Sequence, residues 1–205
     1  DLIEQANRPL LYVGGGAISA FAHDSLRVLA DRFQIPVTTT LMGKGAFDEN
    51  DPLSVGMLGM HGTAYANFAV TECDLLIAVG ARFDDRVTGK LDTFAPRARV
   101  IHFEIDPAEI GKLRHADVPI VGDAKEVLQD FLPAFEEAAA EHAPDYSEWW
   151  KRLDSLREEY PLGYDEPDDG LLSPQWVIEK IGEMGGPEAV YAAGVGQHQM
   201  WAAQY

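Results

Sequence analysis

The sequence is poor in cysteine, in basic residues and in long apolar runs, and each scarcity excludes a class of protein. Cys73 is the only cysteine, which excludes an intrachain disulfide and a cysteine-cluster metal site. The sequence has 16 lysines and arginines but 34 acidic residues, which gives a net charge of −18. This argues against a nucleic-acid binder, which needs a basic face. No stretch approaches the roughly 20 apolar residues of a membrane span.

The opening stretch, DLIEQANRPL, lacks the basic start and apolar core of a secretory signal. We therefore expect no signal peptide there, and neither a membrane nor a nucleic acid among the partners. Because the sequence does not begin with methionine, we expect it to be a fragment of a longer protein. A single cysteine is also consistent with a reducing compartment.

The sequence alternates between apolar, strand-like runs and helical patterns. LLIAVGA at residues 75–81 is continuously apolar, which is typical of a strand buried on both faces of a parallel sheet. RPLLYVGG, IPVTTTL, RVIHFEID and VPIVGD are predicted as further strands, with a glycine-rich loop at residues 42–62. Strict alternation of strand and helix predicts a doubly wound parallel sheet. Helices are predicted at residues 19–33, after a cap at Thr63, from Pro107 and at residues 124–142.

The pattern changes near Ala143 and divides the sequence into three predicted parts. Residues 1–142 hold the alternating elements. Residues 143–172 combine an amphipathic helix with an acidic stretch rich in proline and glycine, and are expected to form a connector. Residues 173–205 begin with a helix capped by Ser173, followed by EAVYAAGVG and QHQMWAAQY. We interpret them as the first βα unit of a second, truncated α/β domain.

The carboxyl ends of the predicted strands carry the residue types of a nucleotide site. Parallel sheets bind their ligands outside these ends. Glycines at residues 14–16 and at Gly80 can bring bare backbone close to a diphosphate, and Arg82 can neutralise it. Glu104 and Asp123 can accept hydrogen bonds from ribose hydroxyls or from the adenine amine. Together these strand ends predict a nucleotide site.

The standard NAD-binding mode fits this pattern less well. It requires a carboxylate about 20 residues after the glycines, at the end of the second strand. The sequence has Thr38, Thr39 and Thr40 there, and the acidic residues follow later strands. This difference predicts a ligand that lies across the sheet edge in a more extended pose.

Two loops leave alternatives open. SVGMLGMHG at residues 54–62 could form a wall for a flat aromatic ring, or it could pack on a neighbouring domain. In FDDRVTG, Asp84 and Asp85 could form a surface ion pair with Arg86, which would contribute little stability. Alternatively, Arg86 could bind a carboxylate of the substrate, with an aspartate orienting its guanidinium.

Six stretches together resemble a known enzyme family: VGGGA, TTLMGKG, GMLGMHGTAYAN, GARFDDRVTGK, FEIDPAEIGK and GVGQHQMWAAQ. They are similar to the catalytic large subunit of acetohydroxyacid synthase, also called acetolactate synthase. The resemblance covers nearly the whole sequence. It implies the middle domain of that enzyme, a six-stranded Rossmann-like sheet that binds FAD, followed by the start of the domain that binds thiamine diphosphate.

The resemblance also implies an activity for the whole enzyme. Such enzymes decarboxylate pyruvate on thiamine diphosphate and join the two-carbon unit to pyruvate or 2-oxobutyrate, on the routes to valine, leucine and isoleucine. FAD does no net redox work there, and Mg²⁺ anchors the thiamine diphosphate. The implied partners are a second or further copies of the catalytic subunit, in a homodimer or homotetramer, and a regulatory small subunit. The implied location is the bacterial or cyanobacterial cytoplasm, or a plastid.

Site residues follow from the resemblance position by position. Arg86 matches the arginine that holds a substrate carboxylate. The implied thiamine diphosphate contacts are Val195, Gly196, Gln197 and His198. The implied FAD contacts are Gly14, Gly15, Gly16, Thr40, Leu41, Met60, His61, Gly80, Ala81, Arg82, Asp84, Arg86, Val87, Glu104, Ile105, Asp123 and Ala124.

Two parts of the family's machinery match nothing in this sequence. The glutamate that activates the thiamine ring and the Gly-Asp-Gly magnesium motif are both missing, so we assign no catalytic residue and no metal ligand. We expect that the chain alone does not form acetolactate. Two other hypotheses stay open: another thiamine diphosphate enzyme of this architecture, of the pyruvate oxidase or glyoxylate carboligase type, and a nucleotide-binding module without chemistry. FDDRVTGK and GQHQMWAAQY favour the synthase.

Overall fold

The computed structural model describes residues 2–141, 144–186 and 188–205. The chain divides into two compact units, Asp1–Tyr160 and Pro161–Tyr205. His142, the last residue of the helix predicted at 124–142, lies outside the described residues. Within the described residues, none of the helices combines the length and the apolar composition that crossing a bilayer requires.

The first unit contains a six-stranded sheet in which every neighbouring pair is parallel. The strands are β1 (Pro9–Val13), β2 (Val37–Thr39), β3 (Ser54–Met57), β4 (Leu75–Val79), β5 (Arg99–Glu104) and β6 (Val118–Val121). Their order is β3-β2-β1-β4-β5-β6. The chain therefore winds outward in one direction from β1 and in the other from β4, so the two central strands form a topological switch point. The predicted fold class, a doubly wound parallel six-stranded sheet, is confirmed.

The two central strands are the most apolar part of the sheet. All five residues of β1 and all five of β4 are buried, which requires helices on both sides of a parallel sheet. Helix α3 packs with α6, and α4 packs with α7. The helices of the first unit are α1 (Leu2–Gln5), α2 (Gly15–Ser19), α3 (His23–Phe33), α4 (Ala64–Glu72), α5 (Asp85–Thr88), α6 (Ala124–Glu141) and α7 (Ser147–Glu159).

The structure corrects three of the predicted elements. The helix predicted at residues 19–33 is divided, because Phe21 adopts a left-handed backbone (φ 54°) between α2 and α3. The loop predicted at residues 42–62 contains the edge strand β3. The helix predicted from Pro107 is wrong. The chain there forms successive turns, and Gly111 has a left-handed backbone (φ 73°) that an α-helix does not continue through.

Helix α7 crosses the amino-terminal edge of the sheet, and we call it the strap. The indole Nε1 of Trp149 donates to the carbonyl of Pro9, the first residue of β1, at 3.0 Å. The guanidinium of Arg157 donates to the carbonyl of Ser54, the first residue of β3, at 2.6 Å. The strap therefore belongs to the first compact unit, although its residues lie in the predicted connector. The functional boundaries of the domains stay predictions.

A charged cluster joins the strap to helix α4. Arg152 on the strap forms a bidentate contact with Glu72, the last residue of α4, with Nη2 at 2.6 Å from Oε1. Arg8 approaches the same carboxylate at 3.3 Å. The hydrogen bond from Arg152 is the main reason that the pKa of Glu72 lies below its usual value. The carboxylate therefore stays charged in the fold and holds two segments together.

The second unit consists of two helices and extended chain, and we describe it separately. Ser173 caps helix α8 (Pro174–Gly185) as predicted, because its hydroxyl accepts from the Trp176 N–H at 3.1 Å. Helix α9 (Gln197–Gln204) also follows as predicted. The strand predicted between them, EAVYAAGVG at residues 188–196, is not formed, since this segment pairs with no strand among the described residues. An extended segment becomes a sheet strand only beside a partner that completes its hydrogen bonds.

Candidate functional site

A cleft of about 400 Å³ lies at the carboxyl ends of the central strands, at the topological switch point. It is on the edge of the sheet opposite to the strap. The turns after β1, β2 and β4 and the last residue of β5 form its walls. Most of the predicted FAD-contacting residues line it, namely Gly14, Gly15, Gly16, Thr40, Leu41, Gly80, Ala81, Arg82, Asp84, Arg86, Val87 and Glu104.

The glycine turns after β1 and β4 interlock. A Cβ on Gly14 would lie 2.3 Å from the Gly80 carbonyl oxygen, and a Cβ on Gly16 would lie 2.7 Å from the Gly80 Cα. Gly80 itself has a left-handed backbone (φ 56°). Three glycines are therefore required for the two turns to touch, whatever ligand they hold. The N–H of Gly14 is also occupied, since it donates to Val79.

Gly15 is the member of the triplet that stays open to the cleft. Within the described residues its N–H donates to no acceptor, so a ligand oxygen can accept from it. A Cβ there would meet the side chain of Met42 at 3.2 Å. Met42, which was not predicted as a site residue, lines the cleft with 74% of its surface exposed. Its position beside Thr40 and Leu41 in one short loop was the available signal.

The segment after β4, residues 80–83, rests on two buried polar side chains. The hydroxyl of Tyr12 donates to the carbonyl of Arg82 at 2.6 Å. The Nε2 atom of His102 lies 2.9 Å from the carbonyl of Ala81. A carbonyl can only accept, so Nε2 carries the proton. Burial lowers the pKa of His102 and raises that of the Tyr12 hydroxyl, so the ring is neutral and the hydroxyl keeps its proton.

Glu104 lines the cleft, and only one of its carboxylate oxygens is hydrogen-bonded within the described residues. Its Oε1 accepts from the N–H groups of Ile105 and Asp106 at 2.9 and 3.2 Å, which fixes the side chain. Its Oε2 accepts no hydrogen bond from the described residues. The arrangement leaves an oriented acceptor that suits a ribose hydroxyl. The exposed guanidinium of Arg82 lines the same cleft and suits a diphosphate.

Two of the predicted FAD-contacting residues, Asp123 and Ala124, have structural roles in the chain itself. The Oδ1 atom of Asp123 caps helix α6, accepting from the N–H groups of Lys125 and Glu126 at 2.9 and 3.3 Å. Ala124 is the buried first residue of that helix. Neither residue lines the cleft, and Ile105 turns its side chain to the surface.

The loop that carries Met60 and His61 packs on the backbone of α5 beside the cleft. The N–H of Met60 donates to the carbonyl of Arg86 at 3.3 Å. Neither Met60 nor His61 lines the cleft, and the Met60 side chain is exposed. The Asp84 carboxylate accepts from the backbone N–H of Arg86 at 3.0 Å. In the described residues Asp84 therefore caps α5 and does not orient the guanidinium.

The four residues predicted to contact thiamine diphosphate lie together at the start of α9 in the second unit. Gly196 is the N-terminal cap, and its carbonyl accepts from the Gln199 N–H at 3.1 Å. The His198 ring lies directly beside Gly196. Val195 is almost fully exposed. In the part of the chain that the structure describes, no three His, Cys, Asp or Glu side chains gather as a metal site.

Comparison with known proteins gives a family for this fold and cleft. The description "Thiamine pyrophosphate enzyme, central domain" matches residues 1–131, which cover the sheet and the first part of α6, as far as Phe131. The chain belongs to the thiamine pyrophosphate enzymes. The matched region contains every residue that lines the cleft.

Relatives within the thiamine pyrophosphate enzymes are similar over the full chain. It is 66% identical over 205 residues to the acetolactate synthase large subunit of Parasynechococcus marenigrum. It is 57% identical over 204 residues to the acetolactate synthase of Mycobacterium leprae, and 56% identical over 204 residues to the large subunit of Corynebacterium glutamicum. The alignments cover 100% of this chain and 33%, 33% and 32% of those proteins. The chain therefore spans about a third of their length, and the predicted resemblance is confirmed.

Proposed function

We propose that this chain is the flavin-binding part of an acetolactate synthase large subunit, together with part of its thiamine diphosphate site. The whole protein would decarboxylate pyruvate and join the two-carbon unit to pyruvate or 2-oxobutyrate. The names of relatives that are more than half identical to the chain support this activity over the pyruvate oxidase and glyoxylate carboligase types.

The cleft is the observation that carries the proposal. It offers the complementary groups that an extended dinucleotide needs, and they line a single cleft. The Gly15 N–H and the Arg82 guanidinium suit the diphosphate, and the Glu104 Oε2 suits a ribose hydroxyl. Exposed Leu41 and Met42 on the rim offer apolar surface to a flat ring. FAD has all of these parts.

The second cofactor site would be at the start of α9. Val195, Gly196, Gln197 and His198 would hold the diphosphate of thiamine diphosphate through backbone N–H groups and the His198 ring. When bound, this cofactor supplies the stabilised carbanion that carbon–carbon bond formation needs. Arg86, exposed at the cleft, would hold a substrate carboxylate. In this proposal the whole protein also uses Mg²⁺ and assembles with further copies of the catalytic subunit and with a regulatory small subunit. Its location is the cytoplasm or a plastid.

Titration of the chain with FAD tests the flavin site. We expect the flavin absorbance to shift on binding. Arg82→Ala and Glu104→Gln should each weaken binding about 10-fold or more, because each removes a charged hydrogen-bonding group. The matched controls are Arg27→Ala, an exposed arginine on α3, and Glu126→Gln, an exposed glutamate on α6. A chain that binds no FAD, or variants that bind it as tightly as the wild type, would overturn the proposed site.

Product analysis tests the activity. Arg86→Ala, placed at the matching position of the full-length Parasynechococcus marenigrum relative, should raise the KM for pyruvate while leaving FAD bound. The relative should release acetolactate. Release of acetyl phosphate would indicate the oxidase type, and release of tartronate semialdehyde would indicate the carboligase type.

A further inference from the structure

The segment after β4 is held from both neighbouring strands. Strand β4 lies between β1 and β5 in the sheet. Tyr12 comes from β1 and contacts the Arg82 carbonyl, and His102 comes from β5 and contacts the Ala81 carbonyl. Both side chains are fully buried. The carbonyl groups of Ala81 and Arg82 therefore both point into the core, toward donors that come from the strands on either side of β4.

The geometry of the peptide bond determines what the other side of this segment presents. In a trans peptide the carbonyl and the following N–H point in opposite directions, and the described chain has no cis bond. Since the carbonyls of Ala81 and Arg82 point into the core, the N–H groups of Arg82 and Phe83 point away from it. Neither N–H donates to an acceptor among the described residues. Two successive N–H groups without a protein acceptor can together donate to an anion.

Aromatic packing fixes these peptide planes further. The ring of Phe83 lies 5.1 Å from the His102 ring and 5.7 Å from the Tyr12 ring, between centroids. The buried Nδ1 of His102 has no hydrogen-bond partner in the described structure. A buried polar ring with an unpaired nitrogen lowers stability relative to an apolar side chain. Its polar contribution to the structure is therefore the hydrogen bond to the Ala81 carbonyl.

We propose that Tyr12 and His102 are positioning residues for the flavin diphosphate. They turn the backbone so that the N–H groups of Arg82 and Phe83 face a phosphate oxygen, beside the Arg82 guanidinium. This inference rests on the proposed flavin site and identifies buried residues that set its shape. Neither residue contacts the ligand itself.

Tyr12→Phe tests the proposal with a change of one oxygen atom. Without the hydroxyl, the Arg82 carbonyl is free to rotate, and we expect the Kd for FAD to rise about 10-fold. Tyr146→Phe is the matched control, because its buried hydroxyl donates to the Ile3 carbonyl at 3.3 Å. Both variants lose one buried hydrogen bond, so both should have similarly lowered melting temperatures. The control should bind FAD like the wild type.

A pair of substitutions at His102 provides an independent test. His102→Gln keeps an N–H donor within reach of the Ala81 carbonyl, whereas His102→Leu removes it. FAD affinity should be largely retained in the first and reduced about 10-fold in the second. Should His102→Leu fail to fold, Tyr12→Phe still decides.

The outcomes separate this inference from the proposed function. Wild-type affinity in Tyr12→Phe, or an equal loss in Tyr146→Phe, would overturn the positioning role while leaving the flavin site intact. A wild-type chain that binds no FAD would overturn the proposed function, and with it the inference. Weakened FAD binding in Tyr12→Phe and His102→Leu supports the positioning role, provided that Tyr146→Phe and His102→Gln still bind FAD.

Discussion

The amide nitrogen of Gly16 donates a hydrogen bond to the carbonyl oxygen of Gly80 at 2.9 Å. This bond joins the turns after β1 and β4 at the floor of the cleft. The neighbouring Gly14 leaves no room for a Cβ, which would lie 2.3 Å from the same oxygen. The glycine triplet is thus required first for packing, and packing leaves the Gly15 N–H free for the proposed ligand.

Gly14→Ala is therefore predicted to destabilise the chain by about 1–3 kcal/mol, the usual cost of overpacking. Gly15→Ala is the control, since its Cβ would meet only Met42 at 3.2 Å. Urea denaturation of the two variants and the wild type measures the free energy of unfolding. Equal stabilities for Gly14→Ala and Gly15→Ala would contradict the interlocking of the turns.

Removing the strap is expected to destabilise the sheet. A chain that ends at residue 142 should unfold at a lower urea concentration than a chain that ends at residue 160, because only the longer one retains α7. Trp149→Ala should account for about 3–5 kcal/mol of the difference, as for other buried large-to-small changes. Glu148→Ala, an exposed position on the same helix, should have little effect. Equal midpoints for the two lengths would show that the strap is not part of the folding unit.

The ion pairs of Glu72 should make stability depend on pH in a defined direction. The pKa of Glu72 is lowered in the fold from 4.5, mainly by the hydrogen bond from Arg152. Its contribution is therefore fully present above about pH 4.5 and is lost as the pH falls through the lowered pKa. Glu72→Gln should lower the melting temperature at pH 7, and the difference from wild type should shrink at about pH 3.

The control for the pH experiment is Glu148→Gln. Glu148 pairs with Lys151 on the exposed face of the strap, where an ion pair contributes little stability. Its melting temperature should follow that of the wild type at both pH values. A Glu72→Gln deficit that stays constant as the pH falls would show that the carboxylate charge is not responsible.

Asp123 allows its capping role to be separated from its predicted contact with adenosine. Asp123→Ala removes the cap of α6 and should destabilise the chain by about 1 kcal/mol. Asp123→Ser keeps a capping oxygen without the charge and should unfold like the wild type. If Asp123 also contacts FAD, both variants should weaken FAD binding. Unchanged affinity in both variants would restrict Asp123 to its cap.

The elements that sequence patterns predicted well are those whose burial is uniform. Strand β4 is five consecutive apolar residues, all buried, so its composition already reports its position at the sheet centre. Strand β3 was missed because Ser54–Met57 is short, lies at an edge and includes Gly56 with a left-handed backbone. Its pairing with β2 depends on a neighbour distant in sequence, which no local pattern records.

The sequence predicted the part of the candidate site that consists of strand ends. It did not predict the part that depends on buried side chains packed under the cleft. Glycines and Arg82 after apolar runs are visible in the sequence, and they line the cleft. Tyr12 lies within the apolar run of β1, where the sequence does not distinguish it from an ordinary core residue. His102 carried a signal that was available: a polar ring within the apolar run RVIHFE has to find a hydrogen-bond partner when buried.

The two tryptophans of the strap can report through their fluorescence on whether this helix is attached to the sheet. Of the 4 tryptophans in the chain, Trp149 and Trp150 lie on this helix, and their indole nitrogens donate to the Pro9 and Gln34 carbonyls at 3.0 and 2.7 Å. The other two belong to the second unit. Indole emission responds to the polarity around the ring, so detachment of the helix would shift the fluorescence of the first unit. The far edge of the sheet can therefore be monitored without a dye, while ligands are added at the cleft.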